Sequence, residues 1–154
     1  MPGERISAKK SQIIIKENKN VGQEGVRMNR TGELIFTFLC GSFLYSLIEI
    51  ASRGYTHWSM TLTGGICLAY IYYITNETGT NMLVKCLLGA MFITSAEFTV
   101  GCVVNLKMHW NVWDYSEMPA NLMGQICIPY SAVWFCLCYI GCRLSLKIKR
   151  KFKS

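Results

Sequence analysis

The chain has 154 residues, 51% of them hydrophobic, and a formal charge of +7. Residues 1–30 hold seven Lys/Arg against three Glu, and residues 143–154 hold six Lys/Arg and no acid, while the stretch between has only Arg53, Lys85 and Lys107 against six acids. A nucleic-acid binder spreads its basic side chains over a folded polar face. Here they bracket lipid-like sequence, which excludes that class and points to an integral membrane protein with the bilayer as its solvent.

In chain order, the first thirty residues are polar and lack the apolar core of a cleavable signal peptide, so residues 1–31 are expected to form a basic, largely disordered cytoplasmic tail. Four apolar stretches follow: Leu34–Ala51, Met60–Ile74, Met82–Leu106 and Leu122–Cys142. Each reaches or approaches the ~20 residues that cross the hydrocarbon. The second is short and relies on standing upright or on Trp58 and Tyr72-Tyr73 at its interfaces. Backbone groups in lipid must be paired internally, and no stretch alternates like a strand. The expected fold is therefore all-α, with four transmembrane helices in residues 32–142 and a second basic cytoplasmic tail at 143–154. Positive residues stay inside, so both termini are expected in the cytoplasm. The loops Ser52–Ser59 and Lys107–Ala120 then lie outside, where Tyr55, Trp58, Trp110, Trp113 and Tyr115 form an aromatic belt.

The spans carry an internal repeat. Gly41 precedes Glu49 by eight residues, and Gly89 precedes Glu97 by eight. Trp58 and Trp113 follow, and then Gly-x-Ile-Cys-x-x-Tyr occurs at Gly64–Tyr70 and again at Gly124–Tyr130. This reads as two related helical hairpins, 32–75 and 82–142, in a parallel 2+2 arrangement about an axis along the membrane normal.

An intramembrane carboxylate costs about 2.5–3.5 kcal/mol or more near the midplane and therefore faces a partner or a cavity. Arg53 stands one helical turn from Glu49, the spacing of a local ion pair. Glu97 has no basic neighbour on its own helix and is expected to be the carboxyl that exchanges protons. Glu97 and Asn105 share a helical face, and so do Asn121 and Gln125 at the outer start of the fourth helix. Pro129 is expected inside that helix, where it frees the carbonyl of Gln125. Together Glu49, Arg53, Glu97, Asn105, Asn121 and Gln125 are expected to line an outward-facing polar site for a substrate or ion. The outer loops would add His57, Trp58, Ser59, Trp113, Asp114 and Tyr115. Two other readings stay open. One is a structural network in which Glu97 bonds Asn121 or Gln125. The other is an enzyme at the outer interface using Glu49, Glu97, His57, His109 and Asp114. No His-x-x-x-His or His-Glu-x-x-His spacing is present, so no metal or other cofactor is expected. The eight cysteines lie in or near the spans. Cys136, Cys138 and Cys142 invite a metal or lipidation reading, but their apolar surroundings suit packing.

Three ordered strings carry a family resemblance: Ile48-Glu49-Ile50-x-x-Arg53-Gly54-x-Thr56-His57-Trp58-Ser59-Met60, Val112-Trp113-Asp114-Tyr115-Ser116, and Asn121-x-x-Gly124-Gln125-Ile126-Cys127. Over about residues 32–142 the chain resembles the putative ABC-transporter type IV family, CmpB-like small bacterial membrane proteins labelled as permeases. The resemblance implies transport and a bacterial plasma membrane. With no Gly-x-x-x-x-Gly-Lys-Ser/Thr loop in the sequence, an ATPase would be a separate chain. Four helices enclose little volume, so a homo-oligomer or a partner membrane subunit is expected in the lipid bilayer. The function expected is a small permease, with a membrane enzyme or a non-catalytic accessory or sensor subunit as alternatives.

Overall fold

Asn29 opens the first helix, α1 (Arg30–Arg53), by accepting the Gly32 N–H at 2.9 Å. A computed structural model of the chain describes residues 29–153, so the tail expected over residues 1–31 lies almost wholly outside the described residues. Glu33 in the first turn of α1 and Arg53 in the last complement the helix dipole. Gly54, at φ +81°, ends the helix in the left-handed conformation that glycine adopts without strain. His57 caps α2 (Trp58–Glu77), and Asn81 caps α3 (Met82–Gly101) by accepting the Val84 N–H. At Cys102 the winding loosens into π-helix as far as Lys107. Its wider turns are seen in Met108 donating to the Val103 carbonyl at 3.0 Å, five residues back.

Short connections make successive helices antiparallel. Gly41 of α1 meets Leu68 and Gly64 of α2 so closely that an added Cβ would stand 2.6 Å from the Leu68 Cβ. A Cβ on Gly64 would lie 2.3 Å from that of Tyr45. Backbones this close replace the hydrophobic drive that helices lack in lipid. The last helix, α4 (Ile128–Lys153), returns along α3. There Gly89 faces Cys138, and Thr94 bonds Ser131. Cys67 and Ile71 of α2, Cys86, Ala90 and Ile93 of α3, and Trp134, Cys138 and Cys142 of α4 form the central core.

The protein is mostly helical, and three helices are long and apolar enough to cross a membrane: α1, α3 with its π extension, and Ile128–Phe152 of α4. α2 is less apolar because Thr, Gly and Tyr interrupt it. It is also the most enclosed helix, with eleven of its twenty residues buried. A helix wrapped by other helices presents little surface to lipid.

The fourth apolar stretch differs from its expected form. Helix does not begin at Leu122. Asn121–Leu122 (β1) pairs antiparallel with Ile126–Cys127 (β2) around a tight turn. Met123 and Gly124 have φ of +54° and +68°, and Gln125 donates to the Leu122 carbonyl at 3.0 Å. Three residues separate the paired Leu122 and Ile126, and the positive φ at Met123 and Gly124 makes the tight turn of a hairpin. Helix starts at Ile128, which puts Pro129 in the first turn, where its missing N–H leaves nothing unpaired. It therefore neither kinks α4 nor frees the Gln125 carbonyl, and Asn121 and Gln125 share no helical face. At the other end, helix continues through the basic segment to Lys153. Tyr72, Ile148 and Phe152 pack together there, while Glu77 pairs with Arg30 and Lys149.

Candidate functional site

The two glutamates are buried at the same end of the bundle, in different company. Glu49, 3% exposed, forms a salt bridge with Arg53 one turn later on α1. Its second oxygen accepts the Thr56 hydroxyl at 2.6 Å. Arg53 also donates to the Val112 carbonyl at 3.2 Å, and its guanidinium carbon lies 5.7 Å from the Tyr55 ring centre. The ion pair expected from the four-residue spacing is present, and it also fastens the end of α1 to the loop after α3.

Glu97 of α3, 2% exposed, accepts only from neutral groups among the described residues. The Tyr45 phenol of α1 donates at 3.0 Å and the Trp134 indole N–H of α4 at 2.7 Å, one to each oxygen. The two rings stack, with centres 5.6 Å apart and planes at 21°. One carboxylate thus joins three helices. The hydrogen bond from Glu97 to Asn121 or Gln125 is not formed. Arg53 is near enough for its charge to act on both Glu97 and Tyr115, so the two glutamates and the arginine share one electrostatic neighbourhood.

The loop 108–127 closes the end of the bundle above these groups. Asn105, on the π segment, donates to the Trp113 carbonyl at 2.9 Å and to Gln125 Oε1 at 2.8 Å. Its own Oδ1 accepts the Val112 N–H at 2.7 Å. Trp113 donates its indole N–H to the Gln125 carbonyl at 2.9 Å. Asn121 is exposed and holds the loop together from outside, donating to the Ser116 and Met118 carbonyls and accepting from the Gly124 N–H. Asp114 accepts both the hydroxyl and the backbone N–H of Ser116. These bonds hold its carboxyl below the usual carboxylate range. Burial, and then the neighbouring Glu97 charge, push the Tyr115 phenol well above its ordinary value.

His57 bonds Ser59 at 2.7 Å, and its ring packs with those of Trp58 and Trp110 at 5.5 and 5.4 Å between centres. Trp58 and Trp110 are exposed, as an interfacial belt requires. His109, at φ +56°, sits on the outside of the loop.

Below Glu97 lies an apolar cavity of about 130 Å³, walled by α1, α2 and α4 with Ile93 of α3 behind. Tyr45 and Trp134 form part of its wall. Leu44, Ile48 and Ile140 at its rim are exposed, so the cavity is a groove opening sideways between α1 and α4.

The sequence-derived set thus divides. Glu49, Arg53 and Glu97 are brought together, and Asn105 bonds directly to Gln125. Trp113 and Tyr115 are partly or fully buried under the loop, whereas Asn121 and Asp114 serve the loop itself. Sequence reasoning missed Thr56, Tyr45 and Trp134, the side chains that hold the two carboxylates. A tryptophan in mid-span was the available signal, because its N–H needs an acceptor when buried.

The family model described as putative ABC-transporter type IV matches residues 36–153 of the chain, which takes in all four helices and the closing loop. No solved structure matches it.

Proposed function

The chain belongs to the putative ABC-transporter type IV family, and from that premise we propose that it is a small multi-pass permease whose substrate site centres on Glu49, Arg53 and Glu97. α1 and α3 run in the same direction and are each apolar enough to cross a membrane, so the chain between them must return. α2 is then a fourth span, shielded from lipid by its neighbours. The basic segments at the two ends support a bacterial membrane protein with both termini in the cytoplasm and the 108–127 loop outside. The matched Gly-to-Glu spacings and the equal burial of Glu49 and Glu97 support an ancestral duplication of hairpins. The copies of Gly-x-Ile-Cys have since diverged, one being helical and the other a hairpin turn.

The observation that carries the reading is Glu97. A buried carboxylate held by a phenol and an indole, with no cation bonded to it among the described residues, is costly in a membrane protein. Structural acids are normally paired, as Glu49 is. Glu97 is thereby free to take up a proton or a charged solute, while Arg53 fixes the charge beside it. A path wide enough for a solute forms between copies of the chain or with a partner membrane subunit, and any ATPase is a separate chain.

The test is reconstitution of the full chain in proteoliposomes, screened with panels of cationic, anionic, zwitterionic and neutral solutes for solute-triggered charge or proton movement. A saturable response to at least one class that disappears in Glu97→Gln supports the permease. Silence across all classes, or a response unchanged in Glu97→Gln, overturns it.

A further inference from the structure

The permease reading leaves the substrate class open, and the groove beside Glu97 bears on it. Its wall is aliphatic except for Cys67 and two aromatic rings, Tyr45 and Trp134. Both rings turn their polar edges to the same carboxylate, at 3.0 and 2.7 Å. Donation to an anion draws electron density onto a ring, and an electron-rich ring face attracts a cation. The negative charge of Glu97 lies directly behind them and acts in the same direction, in surroundings where charge is poorly screened. Glu97 does not itself line the groove but lies behind these two rings, which bond both its oxygens, so its charge favours a cation over an anion there.

Size and access narrow the class. A cavity of about 130 Å³ is close to the volume that admits one benzene-sized ring. Gly141 lines it without a side chain, where a Cβ would reach Ile71 and Leu68. The exposed rim at Leu44, Ile48 and Ile140 faces lipid, so the ligand must itself be soluble in the bilayer interface. Small inorganic cations and strongly hydrated polyamines do not meet that condition.

We propose that this groove binds a lipophilic organic cation, an aryl- or alkyl-substituted ammonium ion, with one apolar arm between α1 and α4 and its charge beside the Tyr45 and Trp134 rings that separate it from Glu97. The proposal rests on the permease reading and specifies its substrate. A proton on Glu97 removes the attraction, so cation and proton compete for the site. The titratable and charged groups around Glu97 are Tyr45 and Arg53 from α1, Cys67 from α2 and Tyr115 from the closing loop. The other anion of this neighbourhood, Glu49, is held in its salt bridge with Arg53, so the competition belongs to Glu97.

The test uses the full chain in lipid nanodiscs with radiolabelled benzyltrimethylammonium, and empty nanodiscs as the baseline. Neopentylbenzene, which has carbon in place of the charged nitrogen, serves as the competitor. Saturable binding is expected, unaffected by the neutral compound and tightening as pH rises. Glu97→Gln should weaken it by about tenfold or more and abolish the pH dependence. Gly141→Ala keeps the carboxylate and narrows the groove, its Cβ lying at 3.4 Å from Ile71. It should weaken binding by about threefold, which separates loss of the site from misfolding. No binding by the wild type, equal competition by neopentylbenzene, or full affinity in either variant overturns the proposal. Should the ammonium probe fail while another solute class drives a Glu97-dependent response in proteoliposomes, the cation class falls and the permease stands. Failure of both removes both.

Discussion

Trp134 donates its indole N–H to Glu97 at 2.7 Å across 37 residues of sequence, tying α4 to α3 through a carboxylate. The opposite oxygen of Glu97 is held by Tyr45 of α1. The same two rings wall the groove below, so the bundle's central polar contact is also the boundary of its cavity.

Glu97→Gln should fold. An amide offers one oxygen and one NH₂ group. The oxygen accepts from Trp134, whose N–H can only donate, and the NH₂ turns to the Tyr45 hydroxyl, which can accept. The expected loss is below about 1.5 kcal/mol, the net worth of a hydrogen bond. Thermal melting in detergent checks it; a collapse comparable to that of a core truncation would make Glu97 a structural anion.

Arg53→Ala should be worse. It strips Glu49 of its cation and leaves it the Thr56 hydroxyl, and it leaves the Val112 carbonyl with the Tyr55 hydroxyl at 3.5 Å. Breaking a fully buried pair costs about 3–5 kcal/mol. Arg53 is 26% exposed, so water meets part of the loss and about 2–3 kcal/mol is expected. Arg53→Lys, which keeps the charge without the fork that reaches both partners, should recover part of it. Equal melting of Arg53→Ala and wild type would contradict the ion pair's role.

Asn105→Asp tests the closing loop. The substitution keeps the acceptor for the Val112 N–H and removes both donors to Trp113 and Gln125. Two buried acceptors then face a carboxylate. Hydrogen exchange at residues 112–125 should quicken by about tenfold or more, while helix amides at 86–93 keep their protection. An unchanged loop would mean that its hold lies elsewhere.

The helices were legible where lipid dictates composition, and three of the four began and ended near their apolar limits. The Glu49–Arg53 pair was legible because helical spacing alone places the partners. The fourth helix was misjudged because Leu122, Ile126 and Cys127 are as apolar as a span. The turn was written instead in Met123-Gly124 and in Pro129 marking a helix start. Tyr45 and Trp134 lie 52 and 37 residues from Glu97 in the chain. Contacts of that separation depend on how helices face one another, which hydropathy does not encode.

Gly41→Ala should loosen the contact of α1 with α2, because the new Cβ would lie 2.6 Å from Leu68 and 2.7 Å from the Gly64 carbonyl. Backbone cannot yield as a flexible side chain does, and overpacking of this kind costs about 1–3 kcal/mol. Gly79→Ala, with nothing within 4 Å, is the control and should stay within about 0.5 kcal/mol of wild type. Equal melting temperatures for the two variants would contradict the close packing.

At the exposed Asp114 turn, the depressed carboxyl remains ionised as pH falls through the ordinary carboxylate range, so the Ser116 contacts should survive at mildly acid pH and be lost only below that range. Amide exchange at Ser116, followed against Asp114→Asn, reads this. Loss of its protection already above the ordinary range would contradict it.

The most direct measurement of the account's centre is the protonation of Glu97 itself, by infrared difference spectroscopy of the reconstituted protein with and without a transported solute. A protonated-carboxyl band that is absent in Glu97→Gln and that disappears when the solute binds is the expected result. A Glu97 carboxyl whose band does not respond to solute or pH would contradict the permease site and leave the glutamate as a strut between three helices.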